Sequence, residues 1–187
     1  MRIWDCKASG AGSRYGGGQG QSVISASKTI KTKDENINIT WDPSGNYIIF
    51  GSRADVIMIV DVRTSKAVLE RKMSSEVNEM AFPRCIAPSS SAPNRLSAGA
   101  GASTFGSCLF MTTGNIQQGI IECFPFDTTT GTMAEQPSRS IVAHTSSVYC
   151  VDFSPCGKYF ATGSADALSS LWDADELICT RTFDRLE

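Results

Sequence analysis

One histidine, His144, stands in 187 residues, and this scarcity limits the chemistry the chain can carry. Only histidine has an unperturbed pKa close to neutrality, so any imidazole-based acid–base scheme must use that residue. The seven cysteines include no C-x-x-C pair, so neither a clustered zinc cage nor a disulfide framework is indicated, and a reducing intracellular compartment fits better. No apolar run approaches the roughly 18 residues of a membrane span. Met1–Cys6 lacks the apolar stretch of a signal peptide. Neither sign of charge dominates, the net charge being −2, so no overall drive toward nucleic acid or anionic lipid exists. No carboxylate pair with supporting groups stands out. These absences together describe a soluble chain with no cofactor, no metal site, no membrane partner and no small-molecule substrate.

What the chain does carry is concentrated between His144 and Asp173. Val148–Phe153 reads as a strand, Ser154-Pro155-Cys156-Gly157 as a turn, and Tyr159–Ser164 as a second strand. Ala165-Asp166 then turns into a third strand, Leu168–Asp173, closed by Trp172-Asp173. Aromatic and β-branched residues fill the strands while Pro and Gly flank the tight turn. The pattern is one blade of a WD-repeat β-propeller, with its fourth strand over Leu177–Phe183.

An offset of 112 residues lays a second blade on the first. Trp41-Asp42-Pro43-Ser44-Gly45 falls on Phe153–Gly157, Tyr47 on Tyr159, Gly51-Ser52 on Gly163-Ser164, and Asp61 on Asp173. Trp41-Asp42 therefore ends a first strand, and the closing dipeptide has become Val60-Asp61. A weaker blade has strands over Glu76–Phe82, Leu109–Gly114 and Gly119–Phe124, with Thr128–Gly131 as a hairpin turn. Arg84–Ser107 interrupts it: 16 of its 24 residues are Ser, Ala, Gly or Pro, a composition expected to stay disordered.

The front end holds Ile3-Trp4-Asp5 as the close of a third strand. Ala8–Ser22, with six glycines, follows as a flexible loop, and Val23–Lys33 as a fourth strand. The expected fold is thus all-β: a partial propeller of about three and a half blades of four-stranded antiparallel sheet. Residues 1–33 form the incomplete blade, 36–72 and 144–183 complete ones, and 76–142 the blade holding the 84–107 insertion. Because closed propellers have four to eight blades, the chain is expected to be part of a larger ring.

The candidate chemistry is structural. In WD repeats a His, a Ser/Thr, an Asp and the Trp form a hydrogen-bonded chain, and here those positions are His144, Thr162, Asp166 and Trp172. Trp only donates and ionised Asp only accepts, so hydroxyl and imidazole complete the relay between them. The catalytic alternative pairs His144 with Asp166 or Cys150 as a nucleophilic site. In the second blade Phe50, Ala54 and Val60 replace Thr162, Asp166 and Trp172. That blade must cohere through Ile48, Ile49, Ile57, Ile59 and Val60. Cys150 and Cys179 fall on strands and read as small core residues. Gly16–Gly20 lacks the G-x-x-x-x-G-K-[ST] pattern and a following helix, so it reads as a linker and not a phosphate loop. Lys28, Lys31 and Lys33 read chiefly as charges guarding an outer strand, with RNA contact the lesser alternative.

Beyond the generic blade, the wording of Gly157–Asp173, continuing through Ala174–Leu186, and of Ile37–Ile48 resembles the family of WD-repeat subunits of the THO complex. The resemblance covers Asn36–Arg71 and Ile141–Leu186. It implies no catalytic residues. It implies a nuclear scaffold bound to other THO complex subunits, supporting mRNA processing and export, with RNA handled indirectly through the assembly. The competing expectation is an adaptor of another nuclear complex, such as a ubiquitin-ligase receptor or a chromatin adaptor.

Overall fold

The computed structural model describes residues 2–3, 28–83 and 107–184. The Ala8–Ser22 stretch, and Arg84–Ser107 except for Ser107, lie outside the described residues. At the front, β1 (Arg2–Ile3) pairs antiparallel with β2 (Lys28–Thr29); of the strand expected over Val23–Lys33, only those two residues are described as strand. The first complete sheet follows in the order β3 (Asn36–Trp41), β4 (Tyr47–Ser52), β5 (Val56–Asp61), β6 (Lys66–Lys72). The middle sheet runs β7 (Val77–Ala81), β8 (Cys108–Gly114), β9 (Gly119–Asp127). A short β10 (Thr132–Met133) and then β11 (Arg139–His144) both pair with β9. The last sheet is β12 (Val148–Phe153), β13 (Tyr159–Ser164), β14 (Ser169–Asp173), β15 (Ile178–Phe183). No helix occurs among the described residues, hence none long and apolar enough to cross a membrane.

All pairings are antiparallel, and the first strand β7 adjoins the first strands β3 and β12 of the sheets on either side, so the sheets radiate from one end. This is a partial β-propeller whose ring is not closed. Two-residue side-chain alternation builds the seams between its sheets. On β8, Leu109 and Met111 enter the seam with the first sheet, while Cys108 and Phe110 enter the seam with the last. On β4, Tyr47 and Ile49 face the middle sheet, and Ile48 and Phe50 face the β1–β2 side together with Ile30. Ile48, Ile49, Ile57, Ile59 and Val60 are all buried, so the first sheet coheres by apolar packing. Each fully covered side chain of this size contributes about 1.5–3 kcal/mol.

The internal repeat extends to the turns. Asp61, Asp127 and Asp173 each accept, through Oδ1, an amide hydrogen bond from the residue two places on, at 2.7, 2.8 and 3.0 Å. Four residues after each aspartate stands a left-handed residue: Ser65, Gly131 and Leu177, at φ 58°, 71° and 55°. Between first and second strands, Gly45 and Gly157 take the same role at φ 73° and 72°, a conformation that costs glycine nothing. The carboxylate of Asp42 caps the first of these turns, accepting from the amides of Ser44 at 3.0 Å and Tyr47 at 2.7 Å.

Two expectations need correction. Cys150 and Cys179 are on strands but exposed, because β15 is an outer strand without buried positions and Cys150 sits at the bulge between Val148 and Cys150. The buried thiols are instead Cys108 and Cys123. Burial pushes the Cys123 thiol up to about 12. The third strand of the middle sheet also runs past Phe124 to Asp127, because the β10 hairpin gives its end a pairing partner.

Candidate functional site

His144 closes β11, the outer strand of the middle sheet, where it pairs with Gly119. Its ring reaches across to the last sheet. Nε2 lies 2.8 Å from Thr162 Oγ1, and Nδ1 lies 3.1 Å from Asp166 Oδ2. Trp172 Nε1 donates to the same Thr162 oxygen at 2.9 Å. The structure thus brings His144, Thr162, Asp166 and Trp172 together in one line. The chemistry of its ends fixes its direction: Trp172 N–H donates to Thr162, the Thr162 hydroxyl to Nε2, and Nδ1–H to the Asp166 carboxylate. His144, Thr162 and Trp172 are buried, so each bond replaces one that water would otherwise have supplied. The Trp172 indole stacks on Phe160 with centroids 6.0 Å apart and planes 6° from parallel, which holds its N–H on the line.

Asp166 is positioned by its own turn. Burial acts to raise its pKa, but other contacts outweigh that and hold the carboxyl below the usual range. These are the amides of Leu168 and Thr145, the Ser164 hydroxyl and His144. The Leu168 and Thr145 amides donate to it at 3.0 Å each. Both ring nitrogens of His144 are engaged within the relay. The Cys150 thiol instead points to the Gly163 carbonyl, 3.9 Å away. A surface groove of about 340 Å³, lined in part by Val142, His144, Asp166, Trp172 and Cys179, runs past the relay. Among the described residues no group of three or more His, Cys, Asp and Glu side chains is placed to hold a metal ion.

Where the relay would recur in the first sheet, Phe50 and Val60 are buried in an apolar cluster and Ala54 is exposed. That seam uses a different polar tie, one the sequence reading missed. Asn38, buried on β3, accepts from the Gly51 amide at 2.9 Å. Its Nδ2 donates to the carbonyls of Val77 and Asn78 at 3.2 and 3.1 Å, joining the first sheet to the middle one. The available signal was an amide side chain set between two apolar strand residues, Ile37 and Ile39. Two arginines were missed as well. Arg71 on β6 donates to the Met133 and Ala134 carbonyls, at 2.9 and 2.6 Å. Arg139 on β11 donates to those of Asp175 and Glu176, at 2.9 and 2.8 Å. In each case an outer-strand guanidinium clasps the next sheet, using the planar fork that lysine lacks.

Of the lysine trio, Lys28 lies in β2 and Lys31 is exposed. Lys33 is bound to both carboxylate oxygens of Glu70 at 2.8 and 3.1 Å.

Comparison with known proteins agrees with this arrangement. The WD domain, G-beta repeat family matches residues 135–173, which span the outer strand of the middle sheet and three strands of the last, the stretch that holds the relay. The whole chain is 33% identical over 187 residues to THO complex subunit 3 of Arabidopsis thaliana, covering 45% of that protein. It is 30% identical over 156 residues to WD repeat-containing protein AAC3 of Dictyostelium discoideum, with 83% of this chain and 28% of that protein aligned. The chain thus spans less than half the length of either relative. Repeated turns, radiating sheets and these matches together identify an open part of a β-propeller that carries a WD repeat and is similar along its entire length to THO complex subunit 3.

Proposed function

We propose that the chain is a non-catalytic scaffold in a nuclear THO complex, supporting mRNA processing and export through contacts with other THO complex subunits. The observation that carries this reading is the similarity to THO complex subunit 3 over all 187 residues, loops included. RNA is handled by the assembly, a reading supported by the pairing of Lys33 with Glu70. In this reading the relay serves the fold. Its donors and acceptors are matched to one another, and His144, Thr162 and Trp172 are all buried, which favours a role inside the seam over one at a substrate.

Affinity purification of the tagged chain from nuclear extract tests the proposal. Recovery of other THO complex subunits is the expected result. Their absence alongside a different set of partners would replace it with the adaptor reading, in which the propeller serves a ubiquitin ligase or a chromatin complex. A turnover activity abolished by His144→Gln at unchanged thermal stability would overturn the non-catalytic role.

A further inference from the structure

An offset of 46 residues lays the outer half of the middle sheet on that of the last. Asp127 falls on Asp173, Gly131 on Leu177, Phe124 on Ser170, Phe126 on Trp172 and Met133 on Cys179. The pairing agrees, since Met133 lies opposite Phe126 and Cys179 opposite Trp172. Each of these faces looks toward the preceding sheet, and the side chains on the two differ in size.

Between the first and middle sheets that face is filled. Phe124, Phe126 and Met133 are 2%, 5% and 4% exposed, and Leu69 and Met73, from the outer side of the first sheet, pack against their cluster. Between the middle and last sheets only Trp172 keeps its bulk. Ser170 stands in the place of Phe124, and Cys179 is exposed where Met133 is buried. The facing strand β11 offers Ala143 and Val142, the latter 64% exposed. The result is the groove of about 340 Å³ beside the relay. Both of its walls belong to complete sheets standing side by side, so small side chains make it and not a missing neighbour. Such a hollow is unusual in a close-packed seam.

No lysine or arginine lines the groove, and its one carboxylate belongs to Asp166. Beyond the Cys179 end, the β14–β15 turn carries Asp173, Asp175 and Glu176. The single guanidinium there, that of Arg139, holds the carbonyls of Asp175 and Glu176. We propose that the groove between β11 and the β14–β15 pair binds an extended segment of a partner polypeptide, with an aromatic and an aliphatic side chain set between basic residues. The aromatic ring takes the place that Phe124 fills in the other seam, and an aliphatic chain of methionine's size takes that of Met133. The carboxylates at both ends favour the basic flanks, and burial of the two side chains supplies the affinity. The proposal does not depend on which complex the chain serves.

The probe is a phage library of short random peptides, selected on the immobilised full chain. Expected is enrichment of sequences with an aromatic and an aliphatic residue flanked by lysine or arginine. The enriched peptide, labelled for fluorescence anisotropy, should bind at least about tenfold more weakly to two variants. One is Cys179→Met, which restores the side chain of the filled seam, and the other is Val142→Asn on the facing wall. Both residues are exposed, so neither substitution should lower the melting temperature. Bound peptide should also slow alkylation of Cys179 by iodoacetamide, read by mass spectrometry. Cys150 and Cys156, exposed thiols outside the groove, should react as before. The proposal is overturned by enrichment of no sequence or of acidic ones, by undiminished binding to either variant, or by protection of Cys150 or Cys156 in place of Cys179. Self-association of the chain abolished by Val142→Asn would also overturn it, assigning the groove to a second copy.

Discussion

The Tyr47 hydroxyl donates to the Thr129 carbonyl at 3.0 Å, across the seam between the first and middle sheets, and its ring packs against Gly131. A Cβ at residue 131 would come 2.2 Å from the ring, and the backbone there is left-handed at φ 71°. The β9–β10 hairpin is therefore keyed to one tyrosine. Gly131→Ala should lose about 2 kcal/mol or more, combining left-handed strain with overpacking. Tyr47→Phe should lose only about 1 kcal/mol, for one partly buried hydrogen bond. Urea unfolding of both variants checks the order.

Thr162 is the shared oxygen of the relay. Thr162→Val keeps its shape but leaves the Trp172 N–H and His144 Nε2 without their partner inside a buried seam. The expected loss is about 1–3 kcal/mol, whereas Thr162→Ser, which keeps the hydroxyl, should lose less. Denaturant midpoints at a common slope distinguish the two.

Asp166 should make stability depend on pH in the acid range. Its folded-state pKa lies below the ordinary 3.8, so on acidification the unfolded chain takes up its proton first. Stability from this carboxylate is therefore complete above the ordinary value and is lost as pH falls through the lowered folded one. Wild-type chain should lose more stability than Asp166→Asn between about pH 5 and pH 2, measured by thermal melts at constant ionic strength.

Asn38 should matter as much as a relay residue. Asn38→Leu would leave the Gly51 amide and two β7-side carbonyls without a partner they now have. We expect a loss of about 1–3 kcal/mol. Amide exchange should quicken at Gly51 first, since that N–H loses its only side-chain acceptor.

Much of the last sheet was legible in the sequence, and the reason is local. Val148–Phe153 and Tyr159–Ser164 emerge with the boundaries that alternation and the Pro155/Gly157 turn predict. Turn chemistry acts within four or five residues, so the offset of 112 exposed the same turn at Asp42–Gly45. The cysteines show the limit. Alternation says that neighbouring strand residues face opposite ways, but not which face is covered, and Cys150 and Cys179 lie on uncovered positions.

The rarity of histidine confined any imidazole-based chemistry to His144 and marked out the repeat that holds it. Residue order determined the strands, the turns and the all-β class, because these follow from side-chain period and backbone freedom over short spans. Tertiary structure alone decided that His144 belongs to one sheet and its partners to the next. It alone placed Asn38, Arg71 and Arg139 across seams, and left Ile39 and Trp41 bare where Met80 and Phe82 are covered. Those facts depend on which sheet stands beside which, and that is set by packing between segments far apart in the chain.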